Sequence, residues 1–239
     1  MLDGYRELAK KSDNYIKLQK QLRISAGKET IAWIDKFTKG LKVEKIPQDD
    51  KQYEIRIFSS PDELEKAIKE KASTADAALS RMIATYDWEY NSSRKMKERA
   101  KKYWEVIIDN WHKPWNRELQ KEMDKKEKRK IKSLAWAEQP QTIDEVGSTF
   151  TIQGFDLNYA GVILGPSVKY RNGEIFLDPD ASYNHKATRN RTMSDGTHKK
   201  FGVKLIQNEI RVLMTRGVNG LYIYAYDEQL RNALIEASK

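Results

Sequence analysis

The chain has 239 residues, of which 39% are hydrophobic and 33% are charged, and its formal net charge is +9. This length is enough for one α/β domain with a hydrophobic core. No stretch approaches the roughly 18–20 consecutive apolar residues of a membrane span, and the polar N-terminus lacks the apolar core of a signal peptide. Because the sequence contains no cysteine, disulfides and thiolate metal sites are excluded. We therefore expect a cytoplasmic protein with no membrane partner.

The positive charge is concentrated in two segments. Residues 94–132 contain 15 Lys and Arg against 7 Asp and Glu, and residues 186–204 contain 6 against 1. Two basic segments on a slightly acidic body favour a surface that faces a polyanion. The alternative is a solvated helical face, and charge alone does not decide between the two. In the second segment, Lys199 and Lys200 are the candidate nucleic-acid contacts.

The first third of the chain predicts helices and two strands. The clearest helix start is at Ser60, where Ser is the N-cap, Pro61 occupies the first helical position and Glu63 can complete a capping box. The strand before it is predicted from alternating apolar and polar residues. In chain order, the predicted elements are a helix over 5–41, a strand over 53–58, a helix after Ser60, a helix over 75–83 and a strand over 81–86.

Residues 88–135 differ from their surroundings in composition. Four of the six tryptophans lie between Trp88 and Trp115, interleaved with Lys and Arg, and the residues that follow are almost purely charged. We interpret this segment as a basic, Trp-rich helical insertion or subdomain. Its tryptophans could stack on nucleic-acid bases, or they could anchor the segment on the core.

From residue 140 the pattern becomes that of alternating strands and helices. This alternation predicts a mostly parallel sheet covered on both faces, in which ligands collect at the carboxyl ends of the strands. The loops after 152 and 164 and the turn over 215–220 are therefore the places to look for chemistry. The predicted elements are strands over 148–152, 160–164 and 221–225, a hairpin turning at Asn172-Gly173, a helix over 203–214 and a final helix capped by Asp227.

Two short groups of residues carry candidate chemistry. Gln153-Gly154-Phe155-Asp156 follows a predicted strand, and it combines a glycine that permits close approach of a ligand with a carboxylate suited to a ribose hydroxyl. Arg216 lies beside Gly217 between a helix and a strand. It can be an ordinary surface residue, or an arginine finger that neutralises a transferring phosphoryl group.

Two longer segments resemble helicase motifs. Phe150-Thr-Ile-Gln-Gly-Phe-Asp-Leu-Asn-Tyr-Ala-Gly-Val-Ile-Leu-Gly165 and Arg211-Val-Leu-Met-Thr-Arg-Gly-Val-Asn-Gly-Leu-Tyr-Ile-Tyr-Ala225 resemble motifs V and VI of superfamily 1 helicases. They are most similar to the Schlafen group 3 type of DNA/RNA helicase domain. Upstream, Leu18-Gln-Lys-Gln-Leu-Arg23 looks like motif IV of that family. The resemblance covers almost the whole chain.

The resemblance implies a single RecA-like domain of the P-loop NTPase type over residues 1–239, with the insertion at 88–135 inside it. This domain would be the C-terminal lobe of a helicase-type ATPase that acts on nucleic acid, with single strands expected. By similarity, Arg216 reaches the γ-phosphate, and Arg23 does the same or helps to close the cleft. Gln153, Gly154 and Gly217 contact the nucleotide, Asp156 contacts the nucleotide or the nucleic acid, and Thr151 touches the nucleic-acid backbone.

The sequence departs from the family pattern at two points. Phe150 stands where motif V usually has His, so one nucleic-acid contact is in doubt. The sequence also contains no GxxxxGK[ST], the loop that cradles phosphates in such ATPases. ATP and Mg²⁺ are therefore expected to bind only together with a first RecA-like lobe that carries the Walker A and B motifs, and the chain alone is expected to be inactive.

Two rival readings remain. A metal site could be formed by the polar loop that contains Asp178, Asp180, His185, Asp195 and His198, although their spacing matches no ligand template, and no metal ligand is assigned. A non-catalytic nucleic-acid-binding or protein-interaction module is the stronger alternative, because the basic segments need no ATP site. Arg216 distinguishes the readings, since a pure binding module has no use for an arginine at that junction.

Overall fold

The computed structural model of the protein describes residues 24–91, 102–188, 191–192 and 195–239. No helix in these ranges is long and apolar enough to cross a bilayer. The helices are α1 (Lys28–Gly40), α2 (Pro61–Ala72), α3 (Lys125–Ile131), α4 (His185–Thr188), α5 (Gly202–Met214) and α6 (Glu228–Ala237). The strands are β1 (Glu54–Ile57), β2 (Arg81–Ala84), β3 (Glu105–Ile108), β4 (Trp111–Pro114), β5 (Val146–Gly147), β6 (Leu157–Leu164), β7 (Val168–Arg171), β8 (Glu174–Leu177), β9 (Arg191–Thr192), β10 (His198–Lys199) and β11 (Gly217–Ala225).

Five parallel strands form the central sheet, in the order β1-β11-β6-β2-β5. The two long strands β6 and β11 lie side by side, with Ala160 opposite Leu221 and Leu164 opposite Ala225. Both are buried over most of their length, as expected of parallel strands whose two faces are covered. The structure therefore confirms the predicted α/β class, with a parallel sheet flanked by helices.

Helices cover both faces of this sheet because successive side chains of a strand point to opposite sides. On β6, Val162 packs in the apolar cluster that includes α1 and α5, whereas Ile163 packs in the cluster that includes α2. Close approach of α2 depends on Gly161, where a Cβ would lie 2.6 Å from Cγ1 of Ile68. The predicted start of α2 is also confirmed, since the Ser60 hydroxyl accepts the N–H of Glu63 at 3.2 Å.

The strand predicted over 148–152 is wrong. The neighbouring strand β5 is only two residues long, and the chain then turns, with the N–H groups of Thr151 and Ile152 both donating to the Ser148 carbonyl, at 3.0 and 3.2 Å. The Thr151 hydroxyl accepts the N–H of Ser148 at 2.8 Å. Such local side-chain bonds compete with sheet pairing, so the segment 148–156 is a turn that leads back to the start of β6.

Three other predictions of elements needed correction or fell partly outside the described residues. The helix predicted over 75–83 is a short 3-10 turn at Ala75–Ala77 followed by β2. The helix predicted over 203–214 is present as α5, but Val203 in its first turn is exposed rather than buried. The N-terminal helix predicted over 5–41 is present as α1, and its part before residue 24 lies outside the described residues.

The predicted hairpin is confirmed as β7 and β8. Its turn residues Asn172 and Gly173 have φ of 53° and 84°, values that place both in the left-handed region required by a tight two-residue turn. The polar loop expected after β8 contains the short helix α4 and the separate two-stranded hairpin of β9 and β10.

The Trp-rich segment is not mainly helical. Its described part forms the antiparallel hairpin β3–β4 and the seven-residue helix α3, while 92–101 lies outside the described residues. Trp115 is fully buried and pairs with Val146, and Asn116 donates its N–H to the Val146 carbonyl at 3.1 Å. The segment therefore adjoins the open edge of β5. The burial of Trp88, Trp111 and Trp115 fits an anchoring role for these three side chains.

Candidate functional site

Part of the predicted site lies at the amino edge of the sheet, by which we mean the edge where the parallel strands begin. Gln153, Gly154 and Asp156 precede β6, and Arg216 precedes β11. The expectation that 153–156 follows a strand end was wrong because β5 ends at Gly147 and the turn 148–156 returns to the opposite edge. Two motifs that are distant in sequence nevertheless meet at one place.

Arg216 is the centre of this amino-edge cluster. Its Nη1 donates to the carbonyl of Phe155 at 3.2 Å and lies 3.5 Å from Oδ1 of Asp156. The backbone carbonyl of Arg216 accepts the N–H of Leu157 at 2.8 Å. The side chain of Arg216 is 7% exposed, whereas that of Asp156 is 40% exposed. The guanidinium is thus held against a carboxylate that faces solvent.

The two glycines of the predicted site differ in the space around their missing Cβ atoms. A Cβ on Gly217 would lie 2.0 Å from the carbonyl oxygen of Gly220, at an irregularity in the pairing of β11 with β6. Glycine at 217 is therefore required by strand packing alone. Gly154 has φ of +78°, and the position of its missing Cβ is surrounded by open space. This glycine leaves room for a ligand beside the turn.

The other predicted residues that the structure describes, Thr151, Lys199 and Lys200, have other surroundings. The Thr151 hydroxyl donates to the Ser148 carbonyl at 2.9 Å and so takes part in its own turn. Lys199 lies in β10 and the exposed Lys200 follows it, in a hairpin that is separate from the central sheet. Arg23 lies outside the described residues.

The alternative metal site is not assembled. Within the described ranges, no group of three or more His, Asp or Glu side chains stands close enough to hold a metal ion. Asp178 instead pairs with Lys169, whose Nζ lies 2.6 Å from Oδ2, and this hydrogen bond lowers the pKa of the Asp178 carboxyl.

A second cluster, missed by the sequence analysis, lies at the carboxyl edge, where the strands end. After β2, the chain passes to the face of the sheet covered by α2, because Trp88 packs in the apolar cluster on that face. After the adjacent β6, it passes to the face covered by α5, because Val168 packs in the cluster on that face. Connections that diverge between neighbouring parallel strands open a crevice, and such crevices are where ligands bind in α/β sheets.

Asp87 is buried where these connections leave the two strands. Its Oδ2 accepts the hydroxyl of Thr85 at 2.7 Å and both the N–H and hydroxyl of Ser167, at 3.0 and 2.8 Å. Its Oδ1 is buried and has no hydrogen-bond partner among the described residues. Burial outweighs these hydrogen bonds and raises the pKa of the Asp87 carboxyl. Because Asp87 directly follows the predicted strand over 81–86, the rule that ligands bind at strand ends could have found it.

Glu209 on α5 faces the same crevice. Its Oε1 accepts the N–H of Tyr86 at 3.1 Å. Burial, together with the charge of Asp87, raises the pKa of the Glu209 carboxyl to about 8. This side chain also lines a cavity of about 210 Å³ between α5 and the loop before α4. No local signal marks Glu209, since its position depends on how α5 docks on the sheet.

We expect the wild-type chain to lose stability relative to Glu209→Gln as the pH rises from 4.5 towards about 8. Folding raises the pKa of this carboxyl, so its contribution to stability is complete below the unfolded value and is lost as the pH rises through the folded value. Since the side chain is only half-buried, the loss should be about 1 to 2 kcal/mol, or about 2 to 8 °C in Tm. Thermal unfolding of both proteins from pH 5 to 8.5 measures it, and parallel profiles would contradict it.

Comparison with known proteins identifies the family. The model of the Schlafen group 3, DNA/RNA helicase domain matches residues 2–227. YPL245W, an uncharacterized protein of Saccharomyces cerevisiae, is 36% identical over 251 aligned positions, which cover 99% of this chain and 51% of the yeast protein. The chain thus spans about half the length of this curated relative, and no solved structure gives a significant match. With almost its whole length matched, the chain belongs to the Schlafen group 3 DNA/RNA helicase domain family.

Proposed function

We propose that this chain is the second RecA-like lobe of a nucleic-acid-dependent ATPase of the helicase type. It supplies residues of motifs IV, V and VI to an ATP cleft that is completed by another lobe, which carries the P-loop and the Mg²⁺-binding carboxylate. Membership of a helicase-domain family supports the proposal. The observation that carries it is the contact between Arg216 and Asp156, residues 60 positions apart that meet at the amino edge of the sheet.

In this proposal Arg216 acts on the γ-phosphate. In the single lobe its guanidinium rests against Asp156 and the carbonyl of Phe155. A phosphate is a stronger partner than a carboxylate contact of 3.5 Å, because arginine binds phosphate through short, charge-assisted hydrogen bonds. Docking of a nucleotide-loaded lobe would therefore draw the guanidinium towards the phosphate, where it stabilises charge in the transition state.

The residues of motif V fit a nucleotide. Gln153 and Gly154 are exposed at the turn, and the open space beside Gly154 leaves room for a ligand. The carboxylate of Asp156 can accept a ribose hydroxyl. In contrast, the described residues contain no cluster of carboxylates for Mg²⁺, so the proposal assigns the metal ion to the other lobe. Bound ATP supplies the phosphoryl group to be transferred.

Arg23 completes the proposed set. Ser25, two residues further along the chain, donates its N–H to the carbonyl of Val218 at 2.8 Å. Val218 is itself two residues beyond Arg216. This contact supports a proposal in which the motif IV arginine acts on the same phosphate group as the motif VI arginine.

The test is ATP hydrolysis by the pure chain and by a longer protein that contains it together with a P-loop lobe. We expect negligible turnover by the 239-residue chain, with or without nucleic acid, because each lobe of such a site holds only part of the machinery. The longer protein should hydrolyse ATP, and nucleic acid should stimulate it. Robust turnover by the isolated chain would contradict the proposal of a half-site.

The second part of the proposal is that the chain binds single-stranded nucleic acid through its basic segments. Helix α3 supports this part. Its N-terminus is capped by Asp124, and the side chains of Lys125, Lys126, Arg129 and Lys130 are exposed. Exposed lysine and arginine side chains bind phosphates by releasing condensed counterions, which makes affinity depend on salt.

We expect the affinity for a single strand to fall steeply between about 50 and 200 mM salt. Changing Lys125, Lys126 and Arg129 to Glu should reduce the slope of log K against log salt by about 2, since each single-strand phosphate contact contributes about 0.7. As a control of equal charge change, Lys42, Lys45 and Lys51 are exposed outside both basic segments, and their replacement by Glu should leave the slope nearly unchanged. A salt-independent affinity would argue against a phosphate-tracking surface.

The alternative function is a nucleic-acid-binding module without catalysis. It shares the basic segments with the main proposal but assigns Arg216 a purely structural role. Salt-dependent binding combined with no ATP hydrolysis by the longer protein is the outcome that would favour it.

A further inference from the structure

The cavity beside Glu209 has the size and lining of a site for one small ring. It measures about 210 Å³, below the roughly 300 Å³ at which pockets for drug-sized ligands begin. Aliphatic side chains of α5, among them Leu205 and Val212, form one wall. Apolar walls combined with a few fixed polar groups are typical of ligand sites. The polar groups here belong to Thr149, Ser182, Asn184, Thr188, Asn208 and Glu209.

This polar lining combines hydrogen-bond donors with acceptors and contains no basic side chain among its described residues. The Ser182 hydroxyl donates its proton to the carbonyl of Tyr86 at 3.2 Å, and its oxygen accepts the N–H of Asn184 at 3.3 Å. Glu209 adds a carboxyl group, whose pKa is raised by burial and by the charge of buried Asp87. With no basic side chain to pair with phosphate, and with Glu209 ionised, the lining favours a ligand that presents N–H donors.

Two exposed aromatic residues are sequence neighbours of residues that line the cavity. Phe150, next to the lining residue Thr149, is 60% exposed. Its ring lies edge-on to Tyr86 with the centroids 5.4 Å apart and an interplanar angle of 84°. Tyr183, between the lining residues Ser182 and Asn184, is also exposed. Aromatic faces open to solvent are the platforms on which unpaired bases stack.

We propose that this cavity binds a single unpaired nucleobase with an exocyclic amino group, which Glu209 recognises while Phe150 provides the stacking surface. The proposal rests on the proposed function, because the base belongs to a nucleic-acid strand held by the chain. Lys200 and Lys204 are exposed around the start of α5, the helix that carries Glu209. Exposed lysine side chains of this kind can neutralise the phosphates of such a strand.

The chemistry of the bases predicts a preference. Adenine and cytosine present amino groups at N6 and N4, which donate to a carboxylate, whereas thymine presents an O4 acceptor at the same position. The one ring N–H of thymine is flanked by two carbonyl oxygens, which a carboxylate repels. Losing a hydrogen bond to a charged group costs enough to change affinity about tenfold or more.

The test is the affinity of the full chain for single-stranded dA, dC and dT dodecamers by fluorescence anisotropy at pH 8.5, where Glu209 is mostly ionised. We expect dA and dC to bind about tenfold more tightly than dT. Glu209→Ala should abolish this preference while sparing dT binding. Glu209→Gln should retain part of it, because the amide oxygen still accepts a hydrogen bond. Phe150→Ala should weaken binding of all three strands about fivefold or more, as loss of one stacked base does.

Phe176 and Glu174 on β8 are matched controls, being an exposed aromatic ring and an exposed carboxylate outside the cavity lining. Phe176→Ala and Glu174→Ala should leave affinity and preference unchanged. Equal wild-type affinities for the three strands, or a preference that survives Glu209→Ala, would overturn the inference. Failure of the proposed function would give different results. Either no strand would bind in a salt-dependent manner, or the longer protein would not hydrolyse ATP although the base preference was observed.

Discussion

In a protein that contains both lobes, Arg216→Ala should lower kcat for ATP hydrolysis by about 10³-fold or more, while the Kd for ATP changes by less than about tenfold. An arginine finger contributes about 10³ to 10⁵ to kcat because it stabilises charge that develops only in the transition state. Single-turnover hydrolysis and nucleotide binding, measured on the same preparation, separate the two effects. A kcat within about tenfold of wild type would end the assignment of Arg216 as the finger.

A structural role for Arg216 predicts a different pattern. The guanidinium ties the start of β11 to the turn before β6 through the carbonyl of Phe155 and the carboxylate of Asp156. If this tie were its whole purpose, Asp156→Ala and Arg216→Ala would lower Tm by similar amounts, and activity would follow the folded fraction. If Arg216 is the finger, Asp156→Ala should leave kcat within about tenfold of wild type and act mainly on the Kd for ATP, because its carboxylate contacts the ribose and holds the arginine only before phosphate engages it.

Arg216→Lys tests whether a positive charge at this position is enough for catalysis. Lysine keeps the positive charge but lacks the planar fork with which arginine binds phosphate through two parallel hydrogen bonds. We therefore expect its kcat to lie between those of the wild type and of Arg216→Ala. Equal activity of Arg216→Lys and the wild type would point to a general electrostatic contribution instead of bidentate recognition.

The sequence predicted much of the fold because the signals for it are local. The cap at Ser60 and the Asn172-Gly173 turn depend on residues within one turn of each other, and the structure confirms both. The apolar runs of β6 and β11 similarly mark buried strands wherever they occur. Local chemistry therefore predicted many of the elements, their order and the α/β class.

The edge of the sheet on which the candidate site lies could not be predicted in this way. β5 is only two residues long and is defined by its pairing with β2, so no propensity of its own sequence marks it. The apolar residues at 148–152 favoured a strand there, yet the Thr151 hydroxyl stabilises a turn instead. Because the strand ends at 147 and not at 152, residues 153–156 lie before the start of β6 and not directly after a strand end. Glu209 was equally hidden, since only the docking of α5 brings it to Tyr86.

Trp115→Ala should cost about 3 to 5 kcal/mol in the free energy of unfolding, as for other buried tryptophans, and lower Tm by about 6 to 20 °C. Trp115 is fully buried, its ring lies 5.6 Å from that of Tyr86 and 6.3 Å from that of Trp88, and its backbone pairs with Val146. Removing the ring leaves a large cavity between the Trp-rich segment and the sheet. Urea unfolding and calorimetry of the two proteins measure the loss.

Trp104 is the matched control, because it is half-buried in the same segment. Trp104→Ala should cost less than half as much as Trp115→Ala. Trp115→Phe should also cost little, since the buried indole N–H of Trp115 has no hydrogen-bond partner among the described residues and its removal relieves a desolvation penalty.

If the Trp-rich segment were a separable insertion, it would show a second unfolding transition of its own, and Trp115→Ala would leave the main Tm unchanged. A single transition shifted downwards would mean that this segment belongs to the same cooperative unit as the parallel sheet, and that Trp115 acts by packing, since a fully buried ring is closed to stacking on bases.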